Sequence, residues 1–251
     1  MSQLEKARAF SALHQQPEPL VLYNIWDAGG ARAVVQAGAR AVATGSWSMA
    51  AAHGYSDGES IPLDLVVTLV ARICTSVDVP VTVDIEGGYA IDPTHVAENI
   101  RKILRAGAVG INFEDRVVGG DGLHAAEDQA DRISAIRAMA DDEGIPLFIN
   151  ARTDVFLGSD PATHPSLVDA ALARAAAYAS AGANGFFVPG LTDTALIADV
   201  TRAVSLPVNV MMLGAVQSVA DVAGCGVRRF SYGPAPFLNA SKDLENRARN
   251  L

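Results

Sequence analysis

The feature that most constrains this chain is a rhythm. Four apolar runs open on a proline: PLVLYNIWDA from Pro19, PVTVDIEGG from Pro80, PLFINARTD from Pro146 and PVNVMMLG from Pro207. Four others follow an Ala-Gly pair: AGARAVATGS from Ala37, AGAVGINFED from Ala106, AGANGFFVPG from Ala181 and AGCGVRRFSYG from Ala223. The two kinds alternate strictly along the sequence, which reads as eight strands. Glycine suits a helix C-cap, and a proline at a strand's first residue sacrifices no ladder hydrogen bond. Between the runs, alanine-rich segments carry helical spacing over Leu63 to Val77, His95 to Ala106, Asp131 to Met139 and Leu167 to Ala181. Short, nearly continuous apolar strands, each followed by a helix, predict a (β/α)8 barrel in preference to a doubly wound open sheet. No linker or low-complexity stretch divides the 251 residues. The expectation is a single barrel domain over residues 1–251, with an N-terminal helical extension over 1–18 and a short C-terminal helix over 235–251.

Polar residues collect where the apolar runs end. Those ends carry Asn24 and Asp27, Ser46 and Trp47, Asp84 and Glu86, Glu114 with Asp115 and Arg116, Asn150 with Arg152 and Asp154, Asn209, and Ser231 with Tyr232. In a parallel barrel this rim carries the active site. Asp84 and Glu86, two apart on one strand, are expected to point the same way. With Glu114 from the next strand they crowd three negative charges together. Either a hard divalent cation such as Mg2+ or Mn2+ compensates them, or they pair with Arg116 and Arg152 as rim salt bridges.

Composition narrows the rest. A net charge of -9 leaves no basic face for a phosphate backbone, so nucleic acid is an unsuitable partner, and a small anion would need a local arginine or metal. No stretch is apolar enough for a membrane span and the N-terminus has no secretory h-region, so a cytoplasmic protein is expected. Cys74 and Cys225 read as core thiols, His53 and His124 as loop histidines, and Trp47 as a packing residue. No GxGxxG, Walker loop, GxSxG elbow or strand-end lysine offers a nucleophile or a phosphate cradle.

The ordered segments YNIWDAGGAR, TGSWSMAAAHGYSDGE, VTVDIEGGY, GINFEDR, INARTDVF and FFVPGL resemble the isocitrate lyase and phosphoenolpyruvate mutase superfamily over Tyr23 to Pro234. That resemblance implies a TIM barrel of the phosphoenolpyruvate/pyruvate type, assembled as a homodimer or homotetramer through its C-terminal helix. It implies Mg2+, or Mn2+ in its place, with Asp84 as direct ligand and Glu86, Glu114 and Asp57 acting through waters. It also implies a small carboxylate substrate held by Arg152, by the turn at Ser46 and Trp47, and by Asn209. Asp57, Arg152 and Glu114 are its catalytic candidates, and the segment after Glu114 is its gating loop. The expected reaction makes or breaks a carbon–carbon bond next to an enolate. Phosphonate chemistry and ligand binding without turnover are the alternatives.

Departures from the pattern bear on the reaction. The lyases for isocitrate and methylisocitrate carry Lys-Lys-Cys-Gly in the loop, and RVVGGDGLHAAED has neither the lysines nor the cysteine. Gly190 stands where the methylisocitrate branch has glutamate, and Gly45-Ser46 reverses the family order. The Lys, Thr and Asn of phosphonate-cleaving loops do not occur between Arg116 and Asp128. The proton donor is left among His124, Tyr55 and water.

Overall fold

The computed structural model describes residues 1–251. Eight parallel strands form the sheet: β1 (Leu20–Leu22), β2 (Val42–Ala43), β3 (Val81–Asp84), β4 (Gly110–Glu114), β5 (Phe148–Arg152), β6 (Gly185–Phe187), β7 (Val208–Met211) and β8 (Arg229–Ser231). Neighbours in sequence are neighbours in space from β2 through β8, and β8 returns to pair with β1 in the register Leu20 to Arg229 and Leu22 to Ser231. The seam between β1 and β2 is narrow. It is closed by a single bridge, Ile25 to Thr44, and by Asn24, whose Nδ2 donates to the Thr44 carbonyl while its Oδ1 accepts from the Tyr232 and Gly233 amides. The sheet is thus a (β/α)8 TIM barrel, as the alternating strand openings predict.

The helices are α1 (Gln3–Leu13), α2 (Ala28–Gln36), α3 (Ser46–Ala52), α4 (Leu63–Ser76), α5 (Pro93–Arg105), α6 (Ala126–Asp142), α7 (His164–Ser180), α8 (Thr194–Ala203) and α9 (Ala235–Arg249). The four helices predicted from spacing all form, and Gly107 and Gly182, just past α5 and α7, take the positive φ that their Ala-Gly pairs foretell. One expected unit is absent. After β7 the chain makes only a 3-10 turn over Val219–Val222, because Gly214, Gly224 and Gly226, all at positive φ, punctuate a connection with no room for an amphipathic helix.

The N-terminal extension is the floor of the barrel. Phe10 of α1 and His14 just past its end pack on Phe148 at ring distances of 5.4 and 4.0 Å, and Ala7, Phe10 and Leu13 form a buried cluster with Leu20, Ala41, Val109 and Phe148 at the strand starts. His14 Nδ1 bonds the Phe10 carbonyl at 2.9 Å, and burial pushes the imidazole pKa down to about 3. α1 therefore leaves the opposite rim as the barrel's open mouth.

Candidate active site

The mouth holds a cavity of about 190 Å3 lined by Asn24, Ser46, Trp47, Asp57, Asp84, Asn112 and Arg152, among others. β3 delivers Asp84 and β5 delivers Arg152 at their last residues, while Asp57 arrives on the loop between α3 and α4. Ser46 opens α3 and donates both its Oγ–H (2.9 Å) and its N–H (3.3 Å) to Asp84 Oδ2. Ser46 thus holds Asp84, so its own two donors are engaged within the turn expected to grip a carboxylate. Asp84 Oδ1, in contrast, is buried with no partner. Trp47 does pack, edge-on to Phe237 of α9 at 5.8 Å, yet it also lines the cavity.

Arg152 is fixed in a plane. Its Nε and Nη2 donate to Asp154 Oδ1 and Oδ2 at 2.5 and 2.8 Å, and its Nη1 lies 2.9 Å from Glu114 Oε2. The Asp154 amide in turn donates to Asp115 Oδ1, and Asp115 is completely buried by Tyr178 and Arg174. The strand-end acids therefore divide: Glu114 and Asp154 orient Arg152, whereas Asp115 ties the rim to α7. Arg116 makes no ion pair with either Asp84 or Glu86, so only half of the salt-bridge alternative is present.

Glu86 does not line the cavity, although the Asp57 and Asp84 charges act on it, and its spacing misleads about its direction. β3 ends at Asp84, and Glu86 sits in the turn beyond it at φ 52°, so strand alternation does not set its direction. Its Oε2 accepts the Glu59 amide at 2.9 Å. Burial and then the Asp57 and Asp84 charges push its pKa to about 8. Burial, then Asp84, raises Asp57 as well, and burial raises Glu114 against the pull of Arg152. Carboxyls pushed upward by burial and by one another's charge, with one partnerless carboxylate oxygen, describe an acidic group short of positive charge. No three of these acids converge at direct ligating distance.

Asn209 does not reach the cavity: it is completely buried, Ser231 Oγ donates to its Oδ1 at 3.2 Å, and its Nδ2 has no partner. Asn112 of β4 lines the floor instead. Sequence reasoning passed over Asn112 because it lies inside an apolar run, GINFED, although inward parity with Glu114 marks it. His124 and Tyr55 lie off this cavity. His124 borders a separate pocket with Arg116, Glu59 and Arg132, and Tyr55 is exposed.

Comparison with known proteins places this geometry. A crystal structure of a proposed phosphonomutase from Burkholderia cenocepacia J2315 superposes with a TM-score of 0.96 at 48% identity, covering 99% of both chains. The 2-methylisocitrate lyase of Escherichia coli K12 is 30% identical over 86% of this chain and 73% of its own length. An oxaloacetate decarboxylase from Bradyrhizobium is 28% identical over 79% of this chain and 68% of its own. The relatives are thus lyases, decarboxylases and mutases. Residues 10–251 match the family model described as phosphoenolpyruvate phosphomutase, and the chain belongs to that family of enzymes, within the isocitrate lyase and phosphoenolpyruvate mutase superfamily.

Proposed function

We propose that this protein is a Mg2+-dependent enzyme, with Mn2+ able to substitute, that cleaves or forms a carbon–carbon bond of a small 2-oxo or 2-hydroxy carboxylate. The observation that carries the reading is Asp84: one oxygen held by Ser46, the other buried and partnerless beside Asp57 and Arg152 in one cavity. A bound divalent cation would supply the Lewis acidity that stabilises negative charge on the substrate's 2-oxygen. Asp84 would hold the cation directly, and Asp57, Glu86 and Glu114 would orient its waters. Arg152, braced by Asp154 and Glu114, would turn its remaining N–H groups to the substrate carboxylate. Trp47 and Phe237 would wall that carboxylate off from water.

A phosphonomutase or phosphonate hydrolase is the second reading, favoured by the likeness to the proposed phosphonomutase. The absence of any lysine from the loop between Arg116 and Asp128 weighs against it. We further propose a cytoplasmic homo-oligomer. α9 buries only Pro236, leaves Leu238 and Leu244 exposed, and stands apart from an apolar groove of about 570 Å3 on the outer wall of β1, lined by Leu13, Val21, Tyr23 and Val34.

The test is product analysis by proton NMR with oxaloacetate, substituted malates and phosphonopyruvate, each with Mg2+ and with chelator. Metal-dependent loss of a carbon acid to two smaller acids, or to a decarboxylated one, supports the reading. Turnover of phosphonopyruvate alone selects the second reading, and tight binding without turnover leaves a 2-oxo acid binding protein.

A further inference from the structure

The barrel interior contains a charge that the site described above does not use. Arg229, on β8, is among the largest completely buried side chains and makes no ion pair, the charge of Asp84 acting on it only from a distance. Its Nη2 donates to Asn112 Oδ1 at 2.9 Å, its Nε and Nη1 have no partner, and the Phe10 ring lies 6.0 Å below. A buried guanidinium with a single neutral acceptor costs stability, and an apolar side chain would serve the core better. Its retention points to what that one bond does.

The bond decides which way Asn112 faces. Asn112 Oδ1 accepts from Arg229 and also from Asn150 Nδ2 at 2.9 Å, which occupies both of its lone pairs. Arginine has no acceptor, so the reversed amide would set an NH2 group against donors and is excluded. The Asn112 NH2 is therefore directed away from both partners. It donates to no protein group, it is not among the sealed atoms that lack a partner, and Asn112 lines the mouth cavity. In the β3–β4 register it stands directly beside Asp84.

Resting on the carboxylate-binding reading of this cavity, we infer that Asn112 is a substrate-contacting residue that donates its amide to a substrate oxygen beside Asp84, and that Arg229 is the positioning residue that locks the amide in that sense. The floor of the cavity then offers a donor next to an acidic cation site. That pairing selects ligands with two adjacent oxygens, one for the cation and one for Asn112, as in 2-oxo acids and oxalate.

The probe is oxalate with Mg2+, measured by calorimetry in the full chain. Asn112→Leu should weaken binding about tenfold, the loss of one hydrogen bond to a charged oxygen. Arg229→Met should weaken it by a similar factor in the native background and have no effect when added to Asn112→Leu, a non-additivity that a general loosening of the barrel would not produce. Equal losses in both backgrounds overturn the positioning role, and unchanged affinity in Asn112→Leu overturns the contact. The Asn112 side-chain amide resonance, identified by its absence in Asn112→Leu, gives a ligand-free readout: Arg229→Met should move it, and an unmoved signal contradicts the lock. If native protein binds no oxalate, the carboxylate reading and the contact both fall, while the amide signal still decides the lock. Should Arg229→Met fail to fold, Arg229→Leu, which likewise has no donor, takes its place in the cycle.

Discussion

Arg152 is the residue whose geometry most restricts what can bind, because Asp154 and Glu114 hold its guanidinium flat against the cavity wall. Arg152→Lys keeps the charge and loses the planar fork, so affinity for a carboxylate ligand should fall at least about tenfold. Titration calorimetry checks it, and undiminished affinity would remove Arg152 from the site. His14 gives a residue-scale prediction of another kind. Its pKa falls from 6.5 unfolded to about 3 folded, so between those values the unfolded chain binds the extra proton. This contribution is intact above pH 6.5 and is lost as pH falls toward 3, by on the order of a few kcal/mol in all. A melting-temperature profile from pH 7 to 4 should accordingly be flatter in His14→Gln than in the native chain; parallel profiles would refute it. Residues were legible where a strand end exposes them, as with Asp84 and Arg152. They were illegible where a partner decides the role: nothing in ARTD tells which acid braces the arginine, and nothing in GVRRF shows that Arg229 is the buried arginine of the pair.

Elements were legible to the extent that local chemistry sets them. Proline and Ala-Gly punctuation located all eight strands, since both act through backbone φ and hydrogen-bond supply, which are local properties. The missing helix after β7 and the departure of Glu86 from strand geometry were not legible, because each depends on how a turn closes. The role of α1 was also hidden, since floor and extension have the same sequence. Gly110 shows how tightly that floor is fitted: a Cβ there would lie 2.7 Å from Phe10 Cε1 and 2.9 Å from Thr82 Oγ1. Gly110→Ala should therefore destabilise the protein by about 1–3 kcal/mol, the usual cost of overpacking, with part recovered by adding Phe10→Leu. Urea denaturation of the single and double variants tests this; an undisturbed midpoint in Gly110→Ala would mean that α1 is not seated on the strand starts.

At the scale of the whole molecule, the barrel was readable from its rhythm and the family from its ordered motifs, but the faces that would meet between copies and the particular substrate were not. Both depend on surfaces that a linear pattern does not describe. Leu238 and Leu244 stand exposed on α9 while Val21 and Tyr23 stand exposed on the wall of β1. If these faces meet between copies, light scattering should give a dimer or tetramer, and Leu238→Asp with Leu244→Asp should yield monomer; a native monomer would contradict the assembly. The central claim is that the mouth binds a carboxylate through a cation held by Asp84. Its most direct measurement is the thermal shift of the native chain and of Asp84→Ala with oxalate, in Mg2+ and in chelator, because a ligand that binds only the folded state raises its melting temperature. The account predicts a rise with Mg2+ and oxalate together in the native chain, none in chelator and none in Asp84→Ala. An equal rise in chelator, or in Asp84→Ala, would contradict it.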